Sequence, residues 1–210
     1  MRRSTRVRRA GASPAGGAGR FWLSCVLCLL LCLPSPAFAG EDHISPVPNN
    51  YWSFMAGALS GIALHELGHV VVATTEGYDI HHDGPSITYS PPFRSKSDRL
   101  HVSTAGFQSQ WLVTEGAFYL RDKAPDFTGG LIAAHLGITA VYLFGLKNNS
   151  QSDITSASIA TGLSRTSVML LALPPAILDG WRFLGNDPPS WLAPVSIGYK
   201  AGMITGIWVF

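Results

Sequence analysis

From about Tyr51 to Thr75 the chain is apolar apart from one short interruption, His65-Glu66-Leu67-Gly68-His69, and Glu66 is the single charged residue of the stretch. At about 1.5 Å per residue such a stretch is long enough to cross a bilayer core of about 30 Å as a helix. On a helix, two histidines four residues apart share one face and can hold one metal ion, with zinc the usual occupant. Glu66, between them, is then a candidate general base for an activated water. Ionisable groups at the bilayer centre cost about 2.5–3.5 kcal/mol each, so their presence there points to function. The two halves of the observation reinforce each other: a metal motif and a membrane-spanning segment coincide.

The first forty residues account for the unusual composition. Arg2, Arg3, Arg6, Arg8, Arg9 and Arg20 precede an apolar run from Phe21 to Leu33, followed by Pro34, Pro36 and Ala37-Phe38-Ala39. A basic n-region, an apolar h-region and an Ala-x-Ala end predict an export signal over residues 1–39, with an uncleaved anchor as the alternative. All three cysteines, Cys25, Cys28 and Cys32, fall in that run. A mature chain therefore has neither a disulfide framework nor a thiolate metal site, and any metal is left to His, Asp or Glu. Beyond residue 39 there remain nine Lys/Arg against thirteen Asp/Glu, a net −4, which gives no support to a nucleic-acid partner.

After a short extracytoplasmic segment, 40–50, residues 51–210 read as one multi-pass membrane domain. Its apolar stretches are Tyr51 to Thr75, Val102 to Leu120, Gly129 to Leu146, about Ile159 to Phe183, and Trp191 to Phe210. The expected fold class is an all-α membrane protein of about four to five apolar helices or re-entrant segments, one of them broken and carrying the third metal ligand. The polar loop 77–100 holds Ser86-Ile87-Thr88-Tyr89-Ser90, which alternates like a short strand, and the basic cluster Arg94, Lys96 and Arg99. The positive-inside rule puts that loop in the cytoplasm, so the first helix runs from outside to inside. The expected location is a bacterial cytoplasmic (inner) membrane.

A catalytic zinc site usually has three protein ligands and one open position. Val72 stands where a metzincin would need glycine, and Glu76 lies only two turns past His69. His81, His82 and Asp83 in the loop are conceivable ligands, although adjacent histidines in a polar loop are more often solvated. Asp179 is the stronger candidate, in Leu173-Pro174-Pro175-Ala176-Ile177-Leu178-Asp179-Gly180, because the prolines predict a broken helix that lipid tolerates only where protein or water lines the gap. The competing reading of Asp179 is a helix cap at the membrane edge paired with Arg182.

His65-Glu66-Leu67-Gly68-His69 together with Leu178-Asp179-Gly180 resembles the site-2 protease family of intramembrane zinc metalloproteases. The resemblance covers about residues 51–185 and implies zinc on His65, His69 and Asp179, with Glu66 activating water. Ala105-Gly106-Phe107 is similar to an Ala-Gly-Pro in that family, with Phe replacing Pro; the family's usual asparagines are not evident. The implied activity is hydrolysis of peptide bonds in membrane-embedded or membrane-anchored protein substrates. A non-proteolytic membrane protein that retains the metal site, as an accessory or metal-handling factor, is the alternative. For Asp179 to reach the histidines, Val102 to Leu120 is expected to be re-entrant or interfacial, or the Pro174-Pro175 break to reset the depth of Asp179. Gln108, Gln110 and Glu115 either line a water path or pack between helices.

Overall fold

The computed structural model describes residues 48–83, 86–146 and 149–210; the expected export signal, 1–39, lies outside them. Six α-helices and one hairpin are present among the described residues: α1 (Tyr51–Thr75), β1 (Asp79–Asp83), β2 (Ser86–Ser90), α2 (Lys96–Leu120), α3 (Pro125–Val141), α4 (Asp153–Thr161), α5 (Arg165–Leu184) and α6 (Leu192–Val209). A π-helical turn, Tyr142–Leu146, continues α3. Of the five apolar stretches, three form helices long and apolar enough to cross a membrane: α1, Pro125–Leu146 and α5. The other two form α2 and α6.

Local chemistry fixes the helix starts. Asn50 caps α1 by accepting from the Ser53 backbone N–H at 3.1 Å, and Ser95 caps α2 by accepting from that of Asp98 at 2.9 Å. The carboxylate of Asp126 accepts from the backbone N–H groups of Asn49 and Asn50 at 2.9 and 3.0 Å, which brings the starts of α1 and α3 together. The two helices then run side by side and parallel. A methyl group on Gly57 would lie 2.0 Å from the Phe127 carbonyl oxygen, and one on Gly130 would lie 2.0 Å from that of Phe54. Only glycine permits this approach, the small-residue packing typical of helices in lipid.

α2 covers the stretch expected to be re-entrant or interfacial. It is an uninterrupted helix of 25 residues, antiparallel to α1, with the Ser109 hydroxyl donating to the Leu64 carbonyl at 2.7 Å. It is not one of the three helices long and apolar enough to cross a membrane. Its polar side chains pack between helices: Gln108 accepts from the Trp208 indole N–H at 2.8 Å and donates to Thr104 at 2.9 Å, while Gln110 and Thr114 are buried.

α5 corrects the expectation of a broken helix. It runs unbroken through Pro174 and Pro175. Pro175 has no N–H to offer the Leu171 carbonyl one turn back; the Tyr199 hydroxyl of α6 donates to that carbonyl instead, at 2.9 Å. A neighbouring helix thus satisfies the group that would otherwise open the chain. The loop 77–100 is also more ordered than an all-α reading allows. The alternating pentamer Ser86–Ser90 is a strand, paired antiparallel with β1 from Asp79 opposite Ser90 to Asp83 opposite Ser86. The hairpin rests through Ile80 and Tyr89 on Ala73, Tyr78 and Val102.

Candidate metal centre

His65 and His69 lie one turn apart on the inward face of α1 and are 2% and 3% exposed. Their Nε2 atoms are 3.3 Å apart. The third corner is Asp153, the first residue of α4, whose Oδ2 lies 3.4 Å from Nε2 of His65 and 3.2 Å from Nε2 of His69. Among the described residues these three side chains form the one group of three or more His, Cys, Asp or Glu that can hold a metal ion. Their spacing is informative. Zinc-type bonds to nitrogen and oxygen are about 2.0–2.2 Å long, so two ligands of a tetrahedral ion stand roughly 3.3–3.5 Å apart. The three measured edges of 3.2–3.4 Å meet that requirement within about 0.2 Å.

The surrounding residues orient the ligands. Nδ1–H of His69 donates to the Val102 carbonyl at 2.7 Å, which fixes the tautomer and leaves the Nε2 lone pair free for a cation. The Tyr142 hydroxyl donates to Oδ2 of Asp153, and its ring lies 5.9 Å from that of His65. Phe107 packs beside Tyr142, their rings 5.1 Å apart, with its own ring edge-on to His65 at 5.7 Å. Gly106 makes the room: a Cβ there would stand 2.4 Å from Nε2 of His69 and 2.6 Å from Nε2 of His65. The cradle therefore consists of α1, the glycine face of α2, the π-turn after α3 and the N-terminus of α4. Glu66 follows His65 directly and precedes His69 by one turn; it is half-buried.

Of the three expected ligands the structure brings His65 and His69 together and places Asp179 away from them. Asp179 is fully buried in a separate polar cluster. Its Oδ1 accepts from the Ser196 hydroxyl at 2.7 Å and from Arg182 at 3.2 Å. Its Oδ2 accepts from Lys200 and stands 3.4 Å from Nε2 of His135. Glu115 of α2 binds both Arg182, at 2.7 Å, and Lys200. Two carboxylates and two cations thus balance one another, and Asp179 is paired with Lys200 and with Arg182, the partner of the competing reading. The reason is packing: α1 lies against α2 and α3, whereas α5 lies against α3, α4 and α6.

The remaining candidates also lie elsewhere. Glu76 accepts from Nδ1–H of His101 at 2.6 Å. His81 is exposed on β1 and does not belong to the metal group, while the side chains of His82 and Asp83 lie outside the described ones. Sequence reasoning missed Asp153, Tyr142 and the steric role of Gly106. The one available signal for Asp153 was a carboxylate just after a capping serine, Ser152, a pattern shared with ordinary helix starts.

No protein-family model, curated protein or solved structure matches this chain. The likeness to site-2 proteases rests on motif residues alone, and of its two motifs only the one in α1 lies at the metal centre.

Proposed function

We propose that this chain is a multi-pass membrane protein acting as a zinc-dependent endopeptidase, hydrolysing peptide bonds of membrane-embedded or membrane-anchored proteins. One observation carries the proposal: His65, His69 and Asp153 present three donor atoms 3.2–3.4 Å apart inside a helix bundle, next to Glu66. Two imidazoles and one carboxylate are a ligand set used by hydrolytic zinc sites, which keep a fourth position open. A bound ion of this kind supplies Lewis-acid polarisation of a carbonyl and lowers the pKa of a water.

The residues of the chain do the rest. Glu66 takes the proton of the attacking water and returns it to the leaving amine. His69, held by Val102, and Asp153, held by Tyr142, keep their donor atoms aimed at one point. The hairpin rests on Val102, the residue whose carbonyl holds His69, so an extended peptide added to the hairpin's edge lies beside the centre. Arg94, Lys96 and Arg99 near that hairpin favour a cytoplasmic location for it, with α1 running inward.

Glu66→Gln is the decisive test, with zinc measured by elemental analysis and cleavage by a membrane-anchored reporter in proteoliposomes. The variant should keep one zinc per chain and lose cleavage by at least about 10²-fold. Undiminished cleavage in Glu66→Gln, or no stoichiometric zinc in the native protein, would overturn the proposal.

A further inference from the structure

A cavity of about 230 Å³ lies between α2, α4, α5 and α6, and Asp153 forms part of its wall. The candidate metal centre and the cavity therefore share Asp153 as a wall residue. Phe107, whose ring contacts His65, lines it together with Trp111 and Ile154. On the α6 side the wall is Gly202, Met203, Gly206 and Ile207, with Phe210 beyond them.

The lining offers almost no polar group to an occupant. The hydroxyls of Ser103 and Thr104 donate to the Leu100 carbonyl at 3.3 and 2.7 Å, and that of Thr161 donates to the Ala157 carbonyl at 2.8 Å. Each is bound to its own helix. Asp153 is then the one charged residue on the wall, and it faces the metal position. An occupant must be apolar and attached to whatever reacts at the metal.

Size narrows the occupant further. A helix with its side chains is about 10–12 Å across and does not fit such a space. A cavity of about 150 Å³ accepts a benzene molecule, so the present one is of the size of a single large side chain. Gly202 and Gly206, one turn apart and exposed, have nothing within 4 Å of the position a Cβ would take. The space beside them is open.

We infer that this cavity is the specificity pocket of the metal centre, taking one bulky hydrophobic side chain of the substrate beside the bond that is cut, and that Gly202 and Gly206 set its size. The inference rests on the metal-hydrolase reading and names its substrate class: unwound polypeptide carrying a Leu- or Phe-sized residue at the cleavage point.

The test uses binding rather than turnover. The zinc-loaded full chain in detergent micelles is titrated with acetohydroxamate, a bare metal-binding head, and with hydroxamates bearing isobutyl or benzyl groups. The apolar groups should tighten binding by at least about tenfold over the head alone. In Gly206→Leu that gain should vanish while the affinity for acetohydroxamate and the zinc content stay unchanged. Gly202→Leu serves as a second filled variant, and the tail-size series on the native chain stands independently of both. Equal affinity for bare and apolar-tailed hydroxamates, or a gain that survives both filled variants, overturns the pocket and leaves the metal centre standing. Failure of acetohydroxamate itself to bind zinc-loaded protein overturns the metal centre and the pocket with it.

Discussion

Gly106 and His69 are in such close register that a single methyl group on the glycine would sit 2.4 Å from the imidazole Nε2. The helix that passes behind the histidine pair has its bare backbone turned to them. The candidate metal position is defined as much by what α2 lacks as by what α1 and α4 provide.

Gly106→Ala therefore has opposite effects on helix and site. Alanine favours a helix over glycine by about 1 kcal/mol, so helicity by circular dichroism should hold or rise. Zinc content after dialysis against micromolar metal should fall sharply, because the new methyl displaces both imidazoles. Full zinc occupancy in this variant would show that the rings do not bind metal in the arrangement described.

Asp153 and Asp179 separate ligand from scaffold. Asp153→Ala should weaken zinc by more than about a hundredfold, beyond the 10–100-fold carried by outer partners. Asp179→Ala should keep its zinc and lose stability by about 3–5 kcal/mol, since Lys200 and Arg182 are left with one carboxylate between them. Metal titration and thermal unfolding of the two variants check both outcomes; the reverse pattern would restore Asp179 as a ligand.

Tyr142→Phe removes one hydrogen bond to Asp153 and almost no volume. Zinc affinity should fall about 10–100-fold with helicity unchanged. An unaltered affinity would mean that Asp153 needs no such support.

Chelation should destabilise the native chain. With free zinc at about 100 times its dissociation constant the ion contributes about 2.7 kcal/mol, so EDTA should lower the unfolding temperature of the native protein. The same treatment should leave that of Asp153→Ala where it was.

Acid should loosen the junction of the hairpin and α2. Hydrogen bonds from Ser95 and Tyr78, and then the Arg94 guanidinium, hold the Asp98 carboxyl below the usual carboxylate range against a smaller opposing effect of burial. A pKa depressed in the folded state gives a contribution that is complete above the unfolded value of about 3.9 and is lost as pH falls through the folded one. Amide exchange from Tyr78 to Asp98 should accelerate as pH drops below about 4, after correction for intrinsic rates, and Asp98→Asn should abolish that step. A pH-independent native profile would count against it.

What the sequence disclosed and what it hid follow from the range of the interactions involved. His65 and His69 are coupled by helix geometry over four residues, so their spacing alone predicts their meeting. Ser86–Ser90 reads as a strand because alternation is likewise local. Asp153 reaches the site across 84 residues of chain from His69, and its immediate neighbours look like any capped helix start. Asp179 carried the more suggestive local setting, two prolines and a following glycine, yet its partners Lys200, Ser196 and His135 come from other helices. Pro174 and Pro175 announced a break that did not occur, because Tyr199, 24 residues further on, repairs one of the freed carbonyls.

The glycine seam between α1 and α3 has a mechanical corollary. Where Gly57 meets Phe127 and Gly130 meets Phe54, backbone touches backbone and no layer of deformable side chains lies between. The histidine-bearing rod is thereby locked to its parallel neighbour and cannot tilt alone. Any opening of the bundle is left to the opposite wall, α5 and α6, which take no part in that seam.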